Sequence, residues 1–284
     1  MPMRHTIARE VAAEGIILHA GTQVRMMLAP ANPGTGIVFR RSDLDGAEIP
    51  ARYDAVAETN LGTMLATARA KVDVVEHLMA AIAGAEIDDL LIILDGPEPP
   101  ILDGDALSYL DLIDKVGVKE QTAPRNAIKV LKRVEVAHQD ASAALVPADA
   151  LVFDFEIAFS SAAIGRQRFS FPFSAEGFRR EIAPARTFGF LQELELLKQM
   201  DRGHGATLEN TLALDGDKVV NASLMRFADE FVRHKILDAI GDMALAGAPL
   251  IARFEGVRSG HALNNALLRA LFADPANYEL ISLS

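Results

Sequence analysis

The sequence contains no cysteine and no tryptophan among its 284 residues. The lack of cysteine excludes disulfide bonds, thiolate metal sites and a cysteine nucleophile, so any metal ion must be held by His, Asp or Glu. Long apolar runs and basic runs are also missing, and the net charge is −11. These features argue against a membrane span and against nucleic acid as a main partner. The N-terminus has scattered charges and no apolar signal-peptide core, so we expect a cytoplasmic protein.

The order of the expected elements predicts the fold class. Half of the residues are hydrophobic, which allows a sizeable core in one large domain or two ordinary ones. Each half of the chain starts with strand-like segments and continues with a helix, a strand and another helix. This order predicts an α+β protein with two domains of related topology, each a β-sheet packed with two main helices. The polar segment 118–126, which contains Pro124, predicts a linker between an N-terminal domain, 1–120, and a C-terminal domain, 127–284.

One predicted helix carries an unusual set of polar residues. Residues 229–242, DEFVRHKILDAIGD, have apolar residues at helical spacing, yet His234, Asp238 and Asp242 follow at intervals of four on one face. Charged faces of helices commonly face solvent, which is one interpretation. An imidazole and a carboxylate one turn apart can also bind one metal ion, with a third ligand from elsewhere. The residues of this helix alone leave both interpretations open.

Three other segments contain candidates for catalysis. His77 directly follows Glu76, and hydrolytic metal sites need a ligand and a nearby free carboxylate that accepts a proton. His261 is expected in the first turn of a helix, close to Arg258, where it could cap the helix or protonate a leaving group beside a bound anion. Thr187, in ARTFGF, could donate a hydrogen bond to a developing oxyanion, although a threonine hydroxyl more often binds the backbone of a turn.

Taken in order, these motifs resemble one family, the zinc-dependent UDP-3-O-acyl-N-acetylglucosamine deacetylases of lipid A biosynthesis. The resemblance runs along nearly the whole chain and is carried by VEHLMAAIAG, LDGDA, ARTFGF, DEFVRHKILDAIGD and SGHALNN. It implies a zinc-dependent amide hydrolase of lipopolysaccharide synthesis that removes the N-acetyl group of an acylated UDP-amino-sugar, with the active site between the two domains. We expect a monomer, without a nucleic-acid partner or stable membrane insertion.

The resemblance also implies the residues of the metal centre and the groups that move protons. His77, His234 and Asp238 match the Zn²⁺ ligands. Glu76 matches the general base that activates the attacking water molecule.

Further catalytic roles follow from the same resemblance. His261 matches the acid that protonates the leaving amine, and Asp242 matches the residue that orients it. Thr187 and Lys235 match groups that contact the polarised carbonyl or the oxyanion.

The substrate-binding positions are implied in the same way. Arg258 occupies a position that faces the substrate diphosphate. Phe188 and an insert at about 189–214 match the lining of the acyl-chain passage. His19, in GIILHAG, matches a substrate-binding residue.

The sequence departs from the family pattern near the expected substrate site. Asp73-Val74 stands where the family usually has Ser-Thr, Ile17 replaces a glycine, and GATLENT at 205–211 differs from the usual glycine-rich segment. These departures leave open a divergent paralogue that deacetylates a different N-acetylated sugar or nucleotide sugar.

A second alternative is a non-catalytic zinc-binding regulator on the same fold. Such a protein would be expected to lose Glu76 or His261 while keeping the ligands, and both residues are present.

Overall fold

The computed structural model describes residues 1–283. Within this range the chain forms six α-helices and 21 β-strands. The helices are α1 (Glu76–Gly84), α2 (Leu107–Val116), α3 (Ala175–Gly177), α4 (Leu191–Gln199), α5 (Glu230–Ala244) and α6 (His261–Ala273). None of the helices in this part of the chain is long and apolar enough to cross a membrane.

The strands divide between the two halves of the chain. Those of the N-terminal half are β1 (Met3–Ile7), β2 (Val11–Ile16), β3 (Gln23–Pro30), β4 (Ile37–Arg41), β5 (Ala47–Pro50), β6 (Val56–Glu58), β7 (Met64–Ala66), β8 (Lys71–Val72), β9 (Leu90–Leu94) and β10 (Val118–Pro124). Those of the C-terminal half are β11 (Asn126–Val130), β12 (Val134–His138), β13 (Ala141–Val146), β14 (Val152–Ala158), β15 (Arg166–Pro172), β16 (Phe188–Phe190), β17 (Leu212–Asp215), β18 (Lys218–Val219), β19 (Leu250–Ile251), β20 (Arg253–Val257) and β21 (Tyr278–Ser282).

Each half contains a five-stranded sheet, and the two sheets have the same topology. Their strand orders are β2-β3-β9-β4-β5 and β12-β13-β20-β14-β15. In both sheets the central strand is parallel to one neighbour and antiparallel to the other, and the outer pairs are antiparallel. In the chain, α1 and α2 flank β9, as α5 and α6 flank β20. The predicted α+β fold with two domains of related topology is therefore confirmed.

Smaller sheets complete the two halves. The sheet β6-β7-β8 precedes α1, and the sheet β16-β17-β18 precedes α5. Both therefore lie directly before the helices that carry the predicted site residues. The remaining strands form a β1-β10 pair and a three-stranded sheet in which β11 lies between β19 and β21.

The linker predicted at 118–126 is wrong. Residues Val118–Pro124 form β10, which pairs antiparallel with β1, and β11 begins at Asn126. Most side chains of β10 are exposed, so the polar composition of this segment reflects a strand with a solvated surface. Pro124 is tolerated because it lies at the end of an edge strand, where a missing N–H group is least costly. The domain limits 1–120 and 127–284 stay predictions.

The helices α1 and α5 pack against each other where the two halves meet. A glycine permits this close packing, because a Cβ atom at Gly241 would lie 2.0 Å from the backbone oxygen of Glu76. Gly241 therefore sets the C-terminal part of α5 directly against the first turn of α1. As a result, His77 in that turn lies beside the polar residues of α5.

Candidate active site

A buried cluster of potential metal ligands lies between α1 and α5. It consists of His77, His234 and Asp238, whose ligand atoms all lie within 4.8 Å of one another. The Nε2 atoms of His77 and His234 are 3.5 and 3.3 Å from Oδ1 of Asp238. That oxygen has no hydrogen-bond partner within residues 1–283. A buried carboxylate oxygen without a donor is unfavourable unless a cation binds it, so the cluster fits a divalent metal ion.

The solvent-facing interpretation of the polar face of α5 is wrong. His234, Asp238 and Asp242 are only 3%, 4% and 2% exposed. These side chains point into the contact between the halves, where each charge needs a specific partner.

The surroundings of His234 and Asp238 favour the protonation states that metal binding requires. Nδ1 of His234 lies 3.1 Å from the carbonyl oxygen of Ala185, which leaves Nε2 to face the cluster. Burial lowers the pKa of His234 to about 4, so its imidazole is neutral at pH 7. Burial alone would raise the pKa of Asp238, but the charge of Lys235 holds it well below its usual range. Lys235 donates to Oδ2 of Asp238 at 2.6 Å, so that only Oδ1 remains for a metal ion.

Glu76 lies beside the cluster as the first residue of α1. Its Oε2 accepts a hydrogen bond from the backbone N–H of Thr63 at 2.9 Å, and its Oε1 lies 3.9 Å from Nε2 of His261. Burial raises the pKa of the Glu76 carboxyl group. A carboxylate with a raised pKa is a stronger base than a solvated one, which suits a proton acceptor.

His261, the first residue of α6, lies opposite Glu76 and is bound to Asp242. Its Nδ1 is 2.9 Å from Oδ2 of Asp242, which also accepts from Nδ2 of Asn264 at 2.8 Å. Burial alone would lower the pKa of His261, but Asp242 and Glu76 raise it to about 9. At pH 7 the imidazole is therefore protonated, as a proton donor must be.

Phe188 borders the cluster on the side of the second half, and Thr187 precedes it in the chain. The backbone N–H of Thr187 donates to the carbonyl oxygen of Gly104 at 2.9 Å, which ties this segment to the N-terminal half. The ring of Phe188 packs edge-on against those of His234 and Phe231, with centroids 6.1 and 5.0 Å away. An aromatic wall therefore stands next to the candidate metal ligands.

The insert at 189–214 contains the helix α4 and the start of β17. On α4, Leu194 and Leu197 are only half-buried, and Leu196 is 60% exposed. Met200, just after the helix, is 70% exposed. These apolar side chains are available to an apolar ligand. That they line an acyl-chain passage stays a prediction.

Asp73, which departs from the family pattern, connects the insert at 189–214 to the N-terminal half. Its Oδ2 accepts a hydrogen bond from Arg202 of the insert at 2.9 Å and lies 3.8 Å from Nε2 of His19. His19 is buried, and burial together with the charge of Arg202 lowers its pKa. The backbone N–H of His19 donates to Glu98, whose pKa burial raises to about 7. His19 therefore sits in a buried polar group beside the attachment of the insert.

Arg258 lies shortly before α6 in a left-handed backbone conformation, with φ of 50°. Its guanidinium group pairs with Asp140, and its side chain is 37% exposed. It is accessible to a ligand, but binding a diphosphate would compete with this ion pair.

The structure also places two residues in the site that the sequence did not single out. Asn264 lies within the SGHALNN motif, three residues after His261. On a helix this spacing puts both side chains on one face, which could have indicated that they share a partner, the carboxylate of Asp242. Thr63 donates through its hydroxyl group to Asp242, 179 positions away. No local pattern indicates a contact over that separation.

Comparison with known proteins assigns this arrangement to a family. A family model described as UDP-3-O-acyl N-acetylglycosamine deacetylase matches residues 4–273. A UDP-3-O-acyl-N-acetylglucosamine deacetylase from Phenylobacterium zucineum is 46% identical over 275 residues, which cover 96% of this chain and 94% of that protein. Proteins of the same name from Aliarcobacter butzleri and Myxococcus xanthus are 43% and 44% identical, covering 99% and 98% of this chain and 93% and 89% of their own lengths. The chain belongs to the UDP-3-O-acyl N-acetylglycosamine deacetylase family.

Proposed function

We propose that this protein is a zinc-dependent hydrolase that removes the N-acetyl group from UDP-3-O-acyl-N-acetylglucosamine, the committed step of lipid A biosynthesis. The observation that carries the proposal is the buried His77–His234–Asp238 cluster with a carboxylate and an imidazole beside it. Membership of the deacetylase family and the names of the relatives support the same activity.

His77, His234 and Asp238 would hold the zinc ion. Two imidazoles and a carboxylate are a ligand set of catalytic zinc sites, in which a fourth position stays open. When bound, zinc acts as a Lewis acid that polarises the amide carbonyl and lowers the pKa of a water molecule from about 16 to about 7. The ligand set is complete without a thiolate, in agreement with the lack of cysteine.

Glu76 would accept the proton of the attacking water. The hydrogen bond from Thr63 fixes one carboxylate oxygen and leaves the other directed toward His261. Burial keeps competing solvent away and makes the carboxylate more basic. The water oxygen then forms a bond to the acetyl carbonyl carbon.

His261 would donate its proton to the amide nitrogen as the C–N bond breaks. An amine is a poor leaving group until it is protonated, and the imidazolium state of His261 supplies the proton. The products are acetate and the free amino sugar. Asp242 keeps the imidazole charged and oriented through its hydrogen bond to Nδ1.

Thr187 and Lys235 would stabilise the charge that develops on the acetyl oxygen. Loss of one such donor typically costs about 3 kcal/mol of transition-state stabilisation. Lys235 already donates to Oδ2 of Asp238, so its substitution would also affect this candidate metal ligand.

The remaining predicted residues would bind the substrate. Phe188 and the insert at 189–214 offer apolar surface for the acyl chain beside the metal cluster. Arg258 is accessible for the diphosphate, and His19 lies where the insert meets the N-terminal half.

Turnover of a substrate series tests this function. We expect acetate release from the acylated UDP-sugar to exceed that from the unacylated UDP-sugar and from other N-acetylated sugars. Removal of zinc by a chelator should abolish the reaction, and added zinc should restore it. A preference for a different N-acetylated sugar would favour the divergent paralogue, and no turnover of any of them by the zinc-loaded protein would favour a regulator.

A further inference from the structure

Thr63 contacts both groups that move protons in the proposed reaction. Its backbone N–H donates to Oε2 of Glu76 at 2.9 Å, and its hydroxyl group donates to Oδ1 of Asp242 at 2.6 Å. Asp242 in turn binds His261. Thr63 is only 1% exposed, so water does not compete for these hydrogen bonds. One residue thus joins the proposed base to the partner of the proposed acid.

The backbone around Thr63 is held in an uncommon conformation. The two residues before it, Leu61 and Gly62, have φ values of 65° and 157°. A Cβ atom at Gly62 would lie 3.1 Å from Oε1 of Glu76, so the turn passes close to the carboxylate. The carbonyl oxygen of Thr63 accepts from the N–H of Val75, just before α1. Such conformations persist where the surroundings enforce them, often at functional sites.

The hydroxyl group of Thr63 completes the hydrogen bonding of Asp242. Oδ2 of Asp242 accepts from His261 and Asn264, and Oδ1 accepts from Thr63. With donors on both oxygens, the carboxylate cannot rotate without losing a buried hydrogen bond. Removal of the hydroxyl group would leave Oδ1 without its donor and allow the carboxylate to turn, and His261 would move with it.

We infer that Thr63 is a positioning residue that holds Glu76 and His261 in a fixed arrangement across the two halves of the molecule. This inference rests on the proposed function, because it assigns Glu76 and His261 to proton transfer. Thr63 acts through its two partners and not on the substrate. The hydroxyl group is the essential part, since the backbone N–H bond to Glu76 exists for any residue except proline.

The Thr63→Val variant tests the role of the hydroxyl group. Valine has a similar shape and keeps the backbone N–H donor, so the bond to Glu76 remains. We expect zinc content and KM to be unchanged and kcat to fall about tenfold or more, because small displacements of reacting groups are costly. Thr63→Ser retains a hydroxyl group and should recover most of kcat.

A buried threonine away from the site provides the matched control. Thr6 is 3% exposed, and its hydroxyl oxygen accepts from the N–H of Ala31 at 3.1 Å. Thr6→Val also removes a buried hydroxyl group, so it reports any general effect of the substitution. It should leave kcat unchanged.

A spectroscopic measurement tests the inference without turnover. In the zinc-loaded protein, the proton on Nδ1 of His261 should give a downfield NMR signal that is absent in His261→Ala. This signal should shift in Thr63→Val and return in Thr63→Ser. If the wild type does not release acetate but the signal still shifts, the positioning holds and the proposed function fails.

Two results would overturn the inference. One is a folded, zinc-loaded Thr63→Val protein with wild-type kcat and an unshifted His261 signal. The other is a folded Thr63→Ser protein as impaired as Thr63→Val, because the hydroxyl group would then not be the essential part.

Discussion

Two histidines in this site are kept in opposite protonation states by their surroundings. His234 is neutral because burial lowers its pKa to about 4, whereas His261 is charged because Asp242 and Glu76 outweigh burial and raise its pKa to about 9. The same residue type is therefore suited to binding a metal ion at one position and to donating a proton at another.

The pH dependence of the rate follows from these states. Glu76 must be ionised, so the rate should fall as pH decreases through its raised pKa. His261 must be protonated, so the rate should fall as pH increases through about 9. In His261→Ala we expect a much lower rate and a flat alkaline limb. Rate–pH profiles with metal content checked decide this, and an unchanged alkaline limb would remove His261 as the acid.

The sequence predicted the ligands on α5 better than the contacts between distant segments. The spacing of four between His234 and Asp238 places both on one helical face, so their proximity follows from local geometry. The neighbouring Glu76 made His77 a candidate, but its place as the third ligand came from the family resemblance, since no periodicity predicts which helix packs against α5. The contact of Thr63 with Asp242 was missed because it depends on tertiary packing alone.

At the scale of secondary-structure elements, the α1–α5 contact brings the ligands together. The close approach depends on Gly241, where a Cβ atom would lie 2.0 Å from a backbone oxygen that cannot move aside. The incorrect linker prediction at 118–126 has a related cause, because backbone pairing with β1 makes this polar segment the strand β10. The composition of a segment does not indicate which strand it will pair with.

Substitution of Gly241 should separate α1 from α5. We expect Gly241→Ala to lower the free energy of unfolding by about 1–3 kcal/mol, as overpacking does, and to weaken zinc binding. Gly189→Ala is the control, since its Cβ atom would meet no atom within 4 Å. Denaturant unfolding and metal analysis measure both effects. Wild-type stability and zinc content in Gly241→Ala would contradict this account of the helix contact.

The insert at 189–214 gives a prediction about chain length. If α4 and Phe188 line an apolar passage, each buried CH₂ group removed from the acyl chain should weaken binding by about 0.8 kcal/mol. Inhibition by a series of substrate analogues of increasing acyl length measures this slope. A flat series would mean that the protein does not recognise the acyl chain.

On the scale of the whole molecule, the site depends on both halves. His77 comes from the N-terminal half and the other two candidate ligands from the C-terminal half. The related topology of the halves was predictable from the repeated order of elements, but the pairing of α1 with α5 was not, since it joins segments distant in the sequence. The expectation of a cytoplasmic monomer stays a prediction.

A metal ion at this site should stabilise the whole fold. We expect one zinc ion per chain and a Tm that rises on zinc loading, because a ligand that binds only the folded state stabilises it. His234→Ala and Asp238→Ala should lose the zinc ion and this rise in Tm. Metal analysis and thermal unfolding with and without zinc measure the effect, and undiminished zinc in both variants would rule out these ligands.

The central claim is that Glu76 is the base of a zinc-dependent deacetylation, and the most direct test is acetate release by Glu76→Gln. Glutamine has nearly the same shape but cannot accept the proton of the attacking water. The account predicts that Glu76→Gln keeps one zinc ion per chain and binds the acylated UDP-sugar but loses most of kcat, whereas His77→Ala also loses zinc. A Glu76→Gln protein with full zinc content and near-normal kcat would contradict the account.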